Sequence, residues 1–130
     1  MTLEERAEKA AGIKANGSGN CCQAVVTVLA DQIGAPEELL VKAASGFGVG
    51  MGNMEATCGS LVGAVMTAGL RLDGKSAMRC ARQISEFFRE SCGAVTCREL
   101  KALSGGKPLC PCEDCVRNAV KAYAAVLGLD

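Results

Sequence analysis

At 130 residues and 49% apolar side chains, the chain has material for one hydrophobic core and nothing that marks a second domain, so residues 1–130 read as a single unit. Its 14 basic and 14 acidic residues cancel and aromatics make up only 3%, which excludes the basic surface and stacking platforms of a nucleic-acid binder. With nine cysteines and no histidine, His-dependent triads, mixed Cys/His zinc sites and His-ligated haem are excluded, and thiol chemistry is what is left.

In chain order, Thr2-Leu3-Glu4-Glu5 fits a capping box and predicts a helix to about Ala15, stopped by Asn16-Gly17-Ser18-Gly19. The charges of Glu4, Glu5, Arg6, Glu8 and Lys9 read as its solvated face. Asn20-Cys21-Cys22-Gln23 is a looser box opening a helix through about Ile33, with Gly34 as its stop. Pro36 starts a third helix, to about Ser45. Gly46-Phe47-Gly48-Val49-Gly50-Met51-Gly52 reads as a loop, because four glycines cost a helix too much entropy. Helical spacing resumes near Glu55 and runs to about Leu70. After a turn at Asp73-Gly74, Ala77, Cys80, Ala81, Ile84, Phe87 and Phe88 form the apolar stripe of a helix that Gly93 ends. Thr96-Cys97-Arg98-Glu99 predicts a short capped helix to about Leu103, and 104–108 reads as a loop. The last helix runs from Pro111 or Cys112 to Leu127. No stretch alternates as a strand does, so the expected fold is all-α, a compact single-domain bundle of about six to seven helices.

The cysteines divide by position. Cys21 and Cys97 each follow a cap residue, Cys112 opens the last helix, and Cys58 falls in the first turns after the glycine loop. A helix start offers unpaired N–H groups and the positive end of the dipole, so lowered thiol pKa values are expected there. Four such ends pointing inward make a thiolate cage. Cys22, Cys80 and Cys115 lie at core spacing and read as small apolar residues. Cys110-Pro111-Cys112-Glu113-Asp114-Cys115 overlaps a C-x-C with a C-x-x-C, a pattern open to a dithiol pair or half of a zinc site. The glycine run lacks the dinucleotide spacing and a preceding strand. It reads either as a close-approach loop or as a lining in which the backbone at Gly48, Gly50, Gly52 and Gly59 donates N–H groups to a sulfur or an anion.

Five ordered motifs carry a resemblance across nearly the whole chain. They are Asn20-Cys21-x-Gln23-Ala24-Val25, Phe47-Gly48-x-Gly50-Met51-Gly52, Cys58-Gly59-x-x-x-Gly63, Cys97-Arg98-Glu99-Leu100 after Phe88, and Cys112-x-x-x-Val116-x-x-Ala119. Together they resemble the bacterial and archaeal redox-active family named for its C…GCAxxG…C…C pattern, which is related to a domain of split-Soret cytochromes. The resemblance implies Cys21, Cys58, Cys97 and Cys112 as the family cysteines, with Ser60 standing where the family has Ala. Cys22, Cys92, Cys110 and Cys115 are additional thiols, and Cys110 or Cys115 is an alternative to Cys112.

The expected function is that of a redox-active, iron–sulfur electron-transfer or accessory protein holding a [2Fe–2S] cluster on those four cysteines. A metal-free thiol–disulfide protein and a structural four-cysteine zinc domain are the alternatives. No self-contained catalytic activity is expected. The expected partners are an oxidoreductase and a second copy in a homodimer, with no nucleic acid and no membrane. The charged N-terminus Met1–Arg6, with no apolar leader, implies a cytoplasmic location.

Overall fold

Two reciprocal capping boxes start the first two helices of the computed structural model, which describes residues 1–129. The Thr2 hydroxyl accepts from the Glu5 amide at 3.1 Å while Glu5 accepts from the Thr2 amide at 2.9 Å. Asn20 and Gln23 repeat the exchange at 2.9 and 3.0 Å. Each box satisfies backbone donors that the helix itself leaves orphaned.

The helices are α1 (Leu3–Ala15), α2 (Cys21–Leu29, prolonged by a 3-10 turn over Ala30–Gln32), α3 (Glu37–Ala43), α4 (Gly59–Arg71), α5 (Ala77–Cys92), α6 (Cys97–Lys101) and α7 (Cys112–Leu127). The fold is all-helical but for one small hairpin. Helix α7 is the hub, packed against α1, α2, α4 and α5. Its buried Val116, Ala119, Val120 and Tyr123 meet Val25, Leu29, Ile84 and Phe88 in the main core. Each large apolar side chain buried there contributes about 1.5–3 kcal/mol. Helices α2 and α4 approach closely because Gly63 has no side chain; a Cβ there would stand 2.9 Å from the Cys22 carbonyl oxygen. Cys22, Val26, Leu40 and Ala44 form a smaller core under α3. No helix among the described residues is long and apolar enough to cross a membrane.

Several sequence expectations shift. Helix α4 begins at Gly59 rather than Glu55, because the chain first winds a π-type turn over Gly50–Met54, then bends at Ala56 and is held in a bridge at Thr57. In that turn Val49, Met51 and Met54 hold left-handed backbone angles, with φ of 54°, 63° and 65°. Such angles are costly for non-glycine residues and cluster at functional sites. Thr96 precedes α6 in extended backbone, paired with Thr57 in an isolated bridge, and makes no side-chain cap. The 104–108 loop is a hairpin of β1 (Leu103–Ser104) and β2 (Lys107–Pro108), turned by Gly105 and Gly106 at positive φ. Phe87 lies at the edge of the α5 stripe and is partly exposed, while Phe88 is buried. Arg6 departs from the solvated face: it is 1% exposed. Its guanidinium donates to both Asp31 carboxylate oxygens, at 2.5 and 2.8 Å, and to the Val28 carbonyl at 2.7 Å, tying α1 to the end of α2.

Candidate metal centre

Backbone pairing between two loops builds the site. The Cys58 amide donates to the Val95 carbonyl at 2.7 Å, and the Cys97 amide donates to the Ala56 carbonyl at 3.0 Å. This isolated antiparallel bridge sets the starts of α4 and α6 side by side. The glycine run closes over them. A Cβ on Gly50 would stand 2.6 Å from the Cys97 Cβ and 2.9 Å from the Ala56 oxygen. One on Gly59 would meet the Phe47 oxygen at 2.5 Å and the Cys21 sulfur at 2.6 Å, and one on Gly48 would run into Asn20. Three of these four glycines are therefore needed for close approach, whereas Gly52 is exposed and serves the turn through its φ of 82°.

A cavity of about 170 Å³ lies where the helix starts converge, lined by Lys14, Cys21, Val49, Met54, Cys58, Ser60, Cys97, Lys101, Cys112 and Cys115. It matches in size the roughly 150 Å³ void that accommodates a benzene molecule in another protein, so it has room for a multi-atom group. Cys21, Cys58, Cys97 and Cys112 all line it; Cys112 is partly exposed and the others are buried. The lining contains two lysines and no carboxylate. The backbone amide of Val49, in the middle of the glycine run, faces the Cys21 sulfur and works to lower its pKa, against the larger effects of Cys58 and burial. Ser60 is fully buried and holds its hydroxyl beside the Cys58 sulfur without completing a hydrogen bond of normal geometry.

Cys21, Cys58 and Cys97 do not have the lowered pKa expected of helix starts. A neighbouring thiol, Cys58, and burial push Cys21 well up. The contact with Cys115, then burial, raises Cys58, and burial raises Cys97. Desolvation and sulfur–sulfur proximity thus outweigh the helix termini, and these sulfurs remain thiols until a cation takes the place of their protons. Lys101 is the opposite case. Burial works against its charge, but the sulfurs of Cys115, Cys112 and Cys58, once deprotonated, more than offset that and raise its pKa. Its ammonium donates to the Cys110 carbonyl at 3.0 Å and to the Cys115 sulfur at 3.4 Å.

Cys22 and Cys80 are buried in the core, as their spacing suggests. Cys115 is also buried, yet it lines the cavity and contacts Cys58, Cys92 and Cys110. Lys14 and Lys101 are site residues beyond those singled out in the sequence; Cys115, read there as core and as an alternative to Cys112, and Ser60, noted where the family has Ala, also line the cavity. Helical spacing carries a signal for two of them, since Lys101 is four residues after Cys97 and Cys115 three after Cys112.

The model of the family described as "Putative redox-active protein (C_GCAxxG_C_C)" matches residues 19–126. The chain belongs to that family. Membership in the C_GCAxxG_C_C family agrees with the resemblance carried by the five motifs, and the matched span holds every cavity residue except Lys14. Compared with curated proteins, and with solved structures, this family member gives no significant match. The chain is thus a redox-active family member with a buried cysteine cluster able to bind metal.

Proposed function

We propose that the protein transfers electrons through a [2Fe–2S] cluster held in this cavity by Cys21, Cys58, Cys97 and Cys112. The observation that carries the reading is the cavity itself, where four cysteines from four helix starts and two lysines surround a space larger than one ion needs. Four thiolates around such a core leave a net dianion, which Lys14 and Lys101 match in charge. The Val49 amide and the Ser60 hydroxyl lie where hydrogen bonds to sulfur tune a cluster. When bound, the cluster would supply one-electron transfer. The protein's part is to hold the four sulfurs, exclude bulk water and set the local charge.

Sulfur spacing separates this reading from a single zinc ion. Tetrahedral Zn–S bonds of about 2.3 Å put ligand sulfurs roughly 3.8 Å apart. Among the described residues, the one set of three sulfurs all within 4.8 Å of one another is Cys92, Cys110 and Cys115, which lies outside the proposed ligand set. Thiol–disulfide exchange at Cys21, Cys22, Cys110 and Cys115 is disfavoured by their raised thiol pKa values, because the thiolate is the attacking species. In this reading a partner oxidoreductase docks over the glycine run, where Val49 and Met51 expose apolar side chains.

The test is replacement of each proposed ligand by serine in anaerobically purified protein, followed by the visible charge-transfer spectrum. Loss or displacement of the bands in all four variants, with little change in Cys80→Ser, is expected. Bands unaltered by all four replacements would overturn the ligand set.

A further inference from the structure

Beside the cavity, three sulfurs from three parts of the chain meet in the core. Cys92 is the last residue of α5, Cys110 stands just before α7, and Cys115 lies in the first turn of α7. All three are buried, and their sulfur atoms lie within 4.8 Å of one another. The backbone fixes the middle member, because the Cys110 amide donates to the Leu100 carbonyl at 3.0 Å. Two donors face the group from outside. The Asn118 side-chain amide donates to the Cys92 sulfur at 3.3 Å, and the Lys101 ammonium donates to the Cys115 sulfur at 3.4 Å.

We propose that Cys92, Cys110 and Cys115 form a second site, a three-coordinate thiolate site for a soft monovalent cation of the Cu(I) class. Soft thiolates select Cu(I), zinc or iron–sulfur groups, and zinc takes four ligands. This group offers three sulfurs, and among the described residues no fourth Cys, Asp or Glu ligand atom joins it. Metal–sulfur bonds of roughly 2.3 Å place trigonal sulfurs about 4 Å apart, so the trio closes with shifts of less than about an ångström. On binding, three S–H bonds are exchanged for three sulfur–metal bonds. Three protons pass to solvent and no electron changes hands. Three thiolates and a monocation leave two negative charges, which Lys101 and the Asn118 amide face directly. The site does not rest on the cluster reading, although Cys115 touches Cys58 and joins the two groups of sulfurs.

The experiment is an anaerobic competition of the full chain against a Cu(I)-specific chelator, with helical circular dichroism as the folding control. Wild type should withdraw one tight equivalent of Cu(I), with X-ray absorption at the copper edge giving three sulfur neighbours. Cys92→Ala/Cys110→Ala should bind at least roughly tenfold more weakly, and Cys80→Ala, at a buried cysteine outside both groups of sulfurs, should stay within about twofold of wild type. If the first double variant does not fold, Cys92→Ala alone decides by the same measure. No tight equivalent in wild type overturns the proposal. So does a tight equivalent that survives loss of Cys92 or disappears with Cys80. Iron and sulfide bound by Cys92→Ala/Cys110→Ala report separately on the cluster.

Discussion

Thr57 and Thr96 face each other across a lone antiparallel bridge, and each is followed directly by a cysteine of the cavity. Nearly forty residues apart in sequence, Cys58 and Cys97 thereby enter their helices from one shared piece of extended backbone. The site's geometry is thus set by backbone hydrogen bonds before any side chain binds anything. Gly50 is the residue that lets this bridge lie against the loop above it.

Gly50→Ala should therefore damage the site. The new methyl meets the Cys97 Cβ and the Ala56 carbonyl, and the backbone is left-handed at φ 53°. A loss of about 2–4 kcal/mol in the metal-free protein, with poor metal loading, is expected from clash and strain together. Gly52→Ala meets no neighbouring atom, although its φ is 82°, and should cost only about 1 kcal/mol. Thermal unfolding of the two variants checks the contrast, and equal losses would argue against the close-approach role.

Ser60→Ala should act in opposite directions in the two states. In metal-free protein it removes a buried hydroxyl with no completed hydrogen bond, for a gain of up to about 1 kcal/mol. In loaded protein it removes a donor beside the Cys58 sulfur, and the reduction midpoint should fall. Unfolding curves and a redox titration measure the two effects. A midpoint that does not move would remove Ser60 from the tuning of the site.

Lys101→Met deletes a cavity charge and two hydrogen bonds, one to the Cys110 carbonyl and one to the Cys115 sulfur. About 1–2 kcal/mol of stability should be lost. The midpoint of the loaded protein should shift to more negative potential, because the reduced form is the more anionic one. A midpoint unchanged or raised would contradict the charge-matching argument.

Cys22 provides a pH test away from the cavity. It is fully buried, and burial pushes its thiol up to about 12. Below the ordinary thiol range both folded and unfolded chains hold this proton. Between that range and about pH 12 the unfolded chain releases it first, so the stabilisation it confers is lost as pH rises through that window. Cys22→Ala in metal-free protein should flatten this part of the alkaline limb of the stability curve. An identical pH slope in the variant would show that Cys22 does not contribute to it.

Much of this was legible locally. The boxes at Thr2 and Asn20, the stop at Gly93 and the helix-start positions of Cys21, Cys97 and Cys112 follow from short-range chemistry, which a sequence displays directly. What escaped depends on pairing across the chain. The Thr57–Thr96 bridge holds the chain out of the helix until α4 starts at Gly59, and the cap expected of Thr96 is not made. Arg6 looked solvated because its partner Asp31 is 25 residues away on another helix. The thiol pKa values were misjudged for the same reason, since the helix terminus is local but the sulfurs and burial that outweigh it come from distant segments. From its spacing Cys115 read as core, and only the resemblance offered it as an alternative to Cys112, because helical spacing conceals that it touches Cys58, Cys92 and Cys110 together.

The most direct test of the central claim is quantification of iron and acid-labile sulfide in protein purified without oxygen. The account predicts both, in the equal amounts of a [2Fe–2S] core, retained through gel filtration and sharply reduced by loss of Cys21, Cys58, Cys97 or Cys112. Protein that carries zinc instead, or that holds neither iron nor sulfide even after reconstitution, would contradict it.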